Sequence, residues 1–313
     1  MKNRLPKEKK KRPSRIQRRE SLAMLLLAIP GVVLLFIFNY LPIGGIVIAF
    51  KNYKPLKGIW GSDWNGFDNF KFFFQSQDAV RTIRNTLGYN FSWLILGTIF
   101  AVILALMYFH LRSSKALKVY NTAILVPRFL SAVIMAFLVE MFLHPRCGLI
   151  NQWIAASGGQ KLDWYTEAGY WPFILTIVYL WAAVGMQSVI YYASLVGMDN
   201  GLIEAAKLDG ANKLQQIWHV MIPHLIPIIV IQNILAIGGL FGGDAGIFLQ
   251  VTKNSGLLYP TTDIISTYTL RALTGGNLAR SAAVGLAQSV AGFIMVLTTN
   301  TIVKKISPEN SLF

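Results

Sequence analysis

The stretch that decides the fold reads Glu204-Ala205-Ala206-Lys207-Leu208-Asp209-Gly210-Ala211, and nine residues after Gly210 the chain continues Val220-Met221-Ile222-Pro223. The residues before Gly210 are good helix formers, and Asp199 precedes them as a candidate N-cap. Gly210 stands where a residue in the left-handed conformation ends a helix. The stretch therefore predicts a short polar helix, a glycine turn and a second helix over residues 211–221. Pro223 is then expected to open a membrane span.

This spacing resembles the cytoplasmic EAA loop of binding-protein-dependent ABC importer permeases. The family pattern is E-A-A, three residues, G, nine residues and I-x-L-P, and here its last part reads V-x-I-P. In that family the short helix inserts into a cleft of the ATP-hydrolysing subunit and transmits its movement. The resemblance implies that a coupling loop at 199–221 uses the following residues: Glu204, Ala205, Ala206, Asp209 and Gly210. The alternative is an ordinary amphipathic helix at the membrane surface.

Composition indicates a membrane protein, because 54% of the 313 residues are hydrophobic and only 14% are charged. A helix needs about 20 apolar residues to cross a bilayer. Six segments meet this length, at 22–49, 87–109, 119–142, 170–193, 222–241 and 283–303. We therefore expect an all-α membrane protein with six transmembrane helices, and the resemblance implies the type I ABC importer permease fold.

The net charge of +15 is concentrated at the N-terminus, where residues 1–20 are strongly basic. We interpret 1–20 as a disordered cytoplasmic tail that contacts anionic lipid headgroups, and 21–313 as the permease domain. A nucleic-acid-binding arm is the less favoured interpretation. With the tail included, the segments that six spans place inside (1–20, 110–118, 194–221 and 304–313) hold 17 basic residues and the longer outside loops hold 11, so both termini are expected to be cytoplasmic.

Arg128 is the most informative residue of the predicted third span, because it follows Pro127 inside an apolar segment. Counted along a straight helix, it lies on the order of 13 Å from the cytoplasmic end. A charge at that depth is expected to face a polar cavity on the transport pathway. The alternative is a span that begins later, with Arg128 at its mouth.

Polar residues in the fourth and fifth predicted spans are further candidates for the pathway. They are Gln187 and Tyr191 in the fourth span, and Gln232 and Asn233 in the fifth. Amides in a membrane need a partner, which is either a neighbouring helix or a polar ligand. Helix-to-helix contact is the more common explanation. Gly285 and Gly292 are expected to let the last span approach a neighbour closely.

Two stretches bear on the substrate. The loop at 51–84 is rich in aromatic residues. Such residues are typical of sugar-stacking surfaces, but also of interfacial belts and packed scaffold loops, and we favour a belt or scaffold role over sugar stacking. Thr262-Asp263-Ile264-Ile265, followed by Thr267-Tyr268 and Ala283-Val284-Gly285-Leu286, resembles permeases for complex oligosaccharides. A permease for another solute, such as a peptide or phosphate, is the alternative.

Catalytic and metal-binding signatures are absent from the sequence. There is no G-x-x-x-x-G-K-[ST] phosphate loop, and the four histidines lack metal-ligand spacing. A membrane-embedded enzyme would need convergent catalytic groups, and a receptor would need a signalling domain; neither is evident. We therefore expect a permease subunit without catalytic residues, cofactor or metal, with ATP and Mg²⁺ bound by a partner.

The resemblance also implies the partners and the location. They are two ATPase subunits, an extracytoplasmic solute-binding protein and a second permease chain, in a bacterial cell membrane. The sequence contains one EAA unit and no repeat of it, whereas a two-fold ATPase dimer presents two docking clefts. A second permease must supply the other unit. An identical copy is possible, but a different chain is favoured, and no nucleic-acid partner is expected.

Overall fold

The computed structural model describes residues 15–111, 113–306 and 308, which are mostly helical. The helices are α1 (Arg15–Leu35), α2 (Gly58–Gly61), α3 (Asp68–Phe74), α4 (Gln77–His110), α5 (Ser114–Leu125), α6 (Ala132–Leu143), α7 (Leu149–Ala156), α8 (Trp171–Val196), α9 (Asn200–Leu208), α10 (Lys213–Gln216), α11 (Ile222–Ile237), α12 (Ala245–Val251), α13 (Tyr259–Thr262), α14 (Ile265–Thr274) and α15 (Leu278–Ile306). Two short strands, β1 (Lys51–Asn52) and β2 (Asp63–Trp64), pair antiparallel. A π-helical turn follows α1, and a 3₁₀ segment continues it to Phe50.

Five helical runs in the described part of the chain are long and apolar enough to cross a membrane. They are Met24–Phe50, Gln77–His110, Ala168–Val196, Lys213–Ile237 and Leu278–Lys305. The pair Ser114–Phe129 and Ala132–Leu143 makes a sixth if it is counted as one span, although the two pieces are bent by 101°. This confirms the predicted all-helical, multi-span fold.

The predicted disorder of residues 1–20 is wrong for part of that segment, because α1 already begins at Arg15. Residues 1–14 lie outside the described part of the chain. Residues 15–20 therefore belong to the first helix.

The centre of the fold is the contact between α4 and α8, whose side chains interlock along much of their length. Trp93 of α4 stacks on Tyr179 of α8 at 3.9 Å between ring centroids, and its indole Nε1 donates to Thr176 Oγ1 at 3.1 Å. Phe248 of α12 packs against the same tryptophan. This core holds one end of the bundle together.

Small residues allow two close helix contacts. A Cβ on Gly185 of α8 would lie 2.4 Å from the carbonyl oxygen of Ile124 in α5, and one on Gly292 would lie 2.6 Å from that of Gly238. Both distances are too short for any side chain, so the backbones touch there. The prediction for Gly292 is confirmed, whereas that for Gly285 is wrong, because open space surrounds it.

The aromatic loop after the first run is a packed unit. Phe50 contacts the rings of Trp64, Phe67 and Phe70 at 5.9, 5.4 and 5.3 Å. Lys54 and Lys57 flank Asp63 in this loop, and the hydrogen bond from Lys54 together with both positive charges lowers the pKa of that carboxyl. These contacts favour the scaffold interpretation for the residues around Phe50, whereas Trp60 remains 80% exposed.

Candidate functional site

The helix of the EAA segment (residues 199–221) is closed at both ends by its own sequence. The Asp199 side chain accepts a hydrogen bond from the Gly201 N–H at 2.9 Å and so caps the start of α9. At the other end Gly210 has φ of +80°. Its N–H donates to the Lys207 carbonyl at 3.1 Å, and the Ala211 N–H donates to the Ala206 carbonyl at 2.9 Å. These two backbone hydrogen bonds form a Schellman motif, so the predicted glycine C-cap is confirmed.

One face of α9 is anchored in the core. Ile203 is only 7% exposed and belongs to a buried cluster that joins α4, α8, α9 and α11. The cluster includes Leu195, Met198, Met221 and Leu225, each of which is almost fully buried. α9 therefore packs directly against the core that α4, α8 and α11 share.

The opposite face of α9 is free. Glu204, Ala205, Asp209 and Gly210 are exposed, and Ala206 is half-buried. The Glu204 carboxylate makes no hydrogen bond or ion pair with any described residue. Beside it Leu208 is 89% exposed, which is unusual for a leucine at the tip of a polar loop. The EAA segment thus offers an acidic and apolar surface on a rigid support.

The second half of the segment differs from the expectation in its shape. Asn212 and Gln215 form a capping box that starts α10, and the helix then widens into a π turn over Ile217–Met221 and continues into α11. Pro223 therefore lies inside a continuous helical run and does not open it. Its ring would clash with the carbonyl of residue 219, and the wide turn ahead of it relieves that clash.

The predicted third span is not a straight helix. After α5 the chain forms a 3₁₀ turn over Val126–Phe129, and Ser131 then caps α6 by accepting from the Ile134 N–H at 3.3 Å. Because the two pieces diverge by 101°, the depth counted for Arg128 along one helix axis is wrong. Arg128 is exposed on this turn.

The polar residues of the other spans come together only in part. Thr98 of α4 donates to Asn233 Oδ1 at 3.0 Å, and the Gln187 Oε1 atom lies 3.2 Å from where a Cβ of Gly97 would stand. Gln187, Asn233 and α4 therefore meet in one region. Tyr191 is fully buried in the core cluster, so it faces no open pathway in this conformation. Gln232 is half-buried on α11, and Arg128 lies apart at the break.

One charged cluster escaped the sequence reasoning. The carboxylate of Asp263 has no exposed surface, and it accepts from Arg81 at 2.7 Å, from Arg271 at 2.7 and 2.8 Å and from Thr267 at 2.8 Å. Arg81 also bonds Asp78 at 2.7 Å. The cluster fastens α14 to the start of α4. Arg81 and Asp263 are 182 residues apart, so no local pattern in the sequence indicates this cluster.

Comparison with known proteins bears on the whole chain. The family model described as "Binding-protein-dependent transport system inner membrane component" matches residues 97–308. Protein LplB of Bacillus subtilis (strain 168) is 34% identical over 286 residues, covering 91% of this chain and 89% of its own. The polygalacturonan/rhamnogalacturonan transport system permease protein YteP of the same organism is 32% identical over 305 residues, covering 97% and 94%.

A solved structure is similar as well. In the crystal structure of a bacterial ABC transporter involved in the import of the acidic polysaccharide alginate, one chain superposes with a TM-score of 0.82 at 29% identity, covering 94% of this chain and 100% of its own. The family match extends over the EAA segment, the broken third span and the last two long helices. The chain therefore belongs to the family of inner-membrane components of binding-protein-dependent transport systems.

Proposed function

We propose that this protein is a permease subunit of an ABC importer that translocates an oligosaccharide. The observation that carries the proposal is the EAA segment, which presents Glu204 and Gly210 on a free surface while Ile203 ties the same helix to three long helices. A helix built in this way can receive a push from a separate protein and pass it to the bundle.

The oligosaccharide assignment is supported by the relatives. YteP is named for polygalacturonan and rhamnogalacturonan transport, and the similar solved structure comes from an alginate importer. A second structure of that transporter is in complex with an alginate pentasaccharide-bound periplasmic protein. These names favour a sugar polymer over a peptide or phosphate as the solute of this chain.

The remaining partners follow from the same proposal. ATP and Mg²⁺ bind to a separate pair of ATPase subunits, which contact the EAA segment from the cytoplasm. A binding protein delivers the sugar on the other side of the membrane, and both termini of this chain are cytoplasmic. A second, different permease supplies the other EAA unit.

The substrate pathway in this proposal includes Arg128 at the break and the amides Gln187, Gln232 and Asn233. Arg128 is exposed and makes no ion pair among the described residues, which suits a water-filled cavity. In the present conformation Asn233 is occupied by Thr98. We assign Tyr191 to packing between helices.

The number of copies of each subunit in the purified complex tests the proposal. Co-expression with the neighbouring permease and ATPase genes, purification and native mass measurement should yield one copy of this chain, one second permease and two ATPase subunits. The complex in liposomes should import oligosaccharides with the binding protein present. A transport-competent complex with two copies of this chain would refute the heterodimer, and import of a peptide but of no sugar would refute the substrate class.

A further inference from the structure

A groove of about 510 Å³ lies between α6, α12 and α14, at the opposite end of the bundle from the EAA segment. Its polar lining consists of Glu140, Gln250, Lys253, Asn254, Arg271 and Thr274. The other wall is apolar and includes Phe137, which is 65% exposed. We call this whole cavity the Glu140 groove. Its volume lies in the range of small-molecule sites.

Opposite charges hold the polar wall in place. Lys253 Nζ lies 2.5 Å from Glu140 Oε1 and 4.8 Å from the centre of the Tyr165 ring. Burial and, to a smaller extent, the Glu140 charge raise the pKa of Tyr165 to about 12, so this ring stays neutral. Arg271 is held by both oxygens of Asp263 and lies over the Tyr259 ring at 4.3 Å.

This lining is suited to hydroxyl groups. Each of its ionised side chains already has a counter-charge, so the groove does not depend on a charged ligand for neutrality. Glu140 remains 28% exposed and Lys253 47% exposed, so both can still form hydrogen bonds to a ligand. A fixed acceptor beside fixed donors fits the adjacent hydroxyls of a sugar ring, and Phe137 offers an apolar surface for its C–H face.

The position of the groove connects it to the broken span. Val133, Phe137 and Glu140 lie on one face of α6, at spacings of four and three residues. That helix begins at Ala132, four residues after Arg128. Irregular backbone at membrane depth is tolerated where it is buried in protein or lines a water-filled cavity. The exposed break and the groove therefore follow each other along one stretch of chain.

We propose that the Glu140 groove is an entry subsite that binds one ring of the transported saccharide through its hydroxyl groups before the ring reaches the break at Arg128. This inference rests on the proposed sugar-permease function. It adds a position to the pathway that the predicted pathway residues Arg128, Gln187, Gln232 and Asn233 do not include.

Thiol labelling tests the site directly, because Cys147 is the single cysteine of the chain. In the complete transporter with Cys147→Ser, a cysteine is introduced by Phe137→Cys in the groove or, as a control, by Leu56→Cys in the exposed first loop. Vesicles are treated with a charged methanethiosulfonate reagent, with and without a mixture of galacturonate and arabinose oligomers. We expect the oligomers to slow the reaction of the groove cysteine by about tenfold and to leave the control unchanged.

The outcomes separate this inference from the function on which it rests. Equal labelling of the groove cysteine with and without oligomers, in vesicles that import them, would overturn the subsite and leave the sugar permease standing. Failure of the reagent to reach the groove cysteine would overturn it too. Vesicles that import a peptide or another non-sugar solute but no saccharide would overturn both.

A substitution supplies a second readout. Glu140→Gln keeps the shape of the side chain but loses the charged acceptor, so the KM for the imported oligomer should rise by about tenfold with little change in maximal rate. Glu167→Gln, in an exposed loop outside the groove, should change neither. An unchanged KM with a lower maximal rate or less protein in the membrane would assign Glu140 a structural role only.

Discussion

Replacing Asp263 by Asn should destabilise the protein far more than the same replacement at Asp63. Both aspartates lie between two basic side chains, but their surroundings differ. Asp263 is fully buried and bonds Arg81 and Arg271 at 2.7 Å. Asp63 is 58% exposed and lies 3.3 Å from Lys54 and 3.5 Å from Lys57.

The magnitude follows from the burial. Removing one partner of a buried ion pair costs about 3–5 kcal/mol, because the remaining charge loses its compensation. Arg271 and Arg81 keep 25% and 29% of their side-chain surface in solvent, which screens them, so we expect the lower limit of about 3 kcal/mol. For a domain of about 150–250 residues that corresponds to a loss of roughly 6–12 °C in melting temperature, and this larger chain should lose fewer degrees. Asp63→Asn should give no measurable change, because its pairs are exposed to solvent.

The assay is thermal unfolding of the purified complex in detergent, followed by the fluorescence of the buried tryptophans. A second variant checks the mechanism. In Asp263→Asn, Arg81 keeps its ion pair with Asp78, whereas Arg271 is left without a counter-charge. Adding Arg271→Met removes that charge, so the double variant should be more stable than Asp263→Asn alone. Equal melting temperatures for the Asp263→Asn and Asp63→Asn variants would refute the argument, and a double variant less stable than the single one would show that charge compensation is not the cause.

Three further predictions concern the EAA segment and the break. Gly210→Ala forces a side chain into the left-handed conformation at a cost of about 1–2 kcal/mol, so ATP-driven uptake should fall. The control Gly197→Ala lies at a helix end with negative φ and should leave uptake unchanged. Equal uptake by both variants would contradict the prediction. Glu204→Lys reverses a free charge on the docking surface and should abolish transport without affecting insertion into the membrane; wild-type uptake and ATPase association would exclude a coupling role. Arg128→Ala should lower uptake or change substrate preference in a complex that still assembles, and a pure folding defect would indicate a structural role instead.

Local features of the EAA segment were predictable from the sequence because they depend on neighbours in the chain. Asp199 caps α9 through the N–H two residues later. At the other end the Gly210 N–H bonds the carbonyl three residues back, and the Ala211 N–H bonds the carbonyl five residues back. A hydropathy window cannot detect comparable caps elsewhere. Ser76 accepts from the Ala79 N–H at 3.3 Å and starts α4 at Gln77, ten residues before the predicted span.

The bend in the third span was missed for a similar reason. Residues 119–142 are mostly apolar, and Arg128 and Glu140 are their only charged residues, so hydropathy predicts one helix. Ser131 nevertheless starts a new helix by capping it, and Pro127 favours a turn before it. Both signals are short and weak against a long apolar run.

Contacts between distant parts of the chain were not predictable at all. Arg81 and Asp263 are 182 residues apart, and Lys253 and Glu140 are 113 apart. Neither ion pair leaves a periodic pattern that a single sequence would reveal. The Glu140 groove exists only because α6, α12 and α14 meet, so it could be found only from the structure.

The break in the third span also bears on the proposed second permease. Lipid can cover a regular helix because every backbone group is bonded within it, but it cannot cover a 3₁₀ turn followed by a new helix start. Arg128 and Phe129 are nevertheless exposed on that turn. Phe129 is 81% exposed, whereas Phe248 in the core of the same bundle is 2% exposed. In a membrane this surface needs protein or water opposite it. A second permease facing the break would provide both, because two chains can enclose a water-filled cavity that one chain leaves open to lipid.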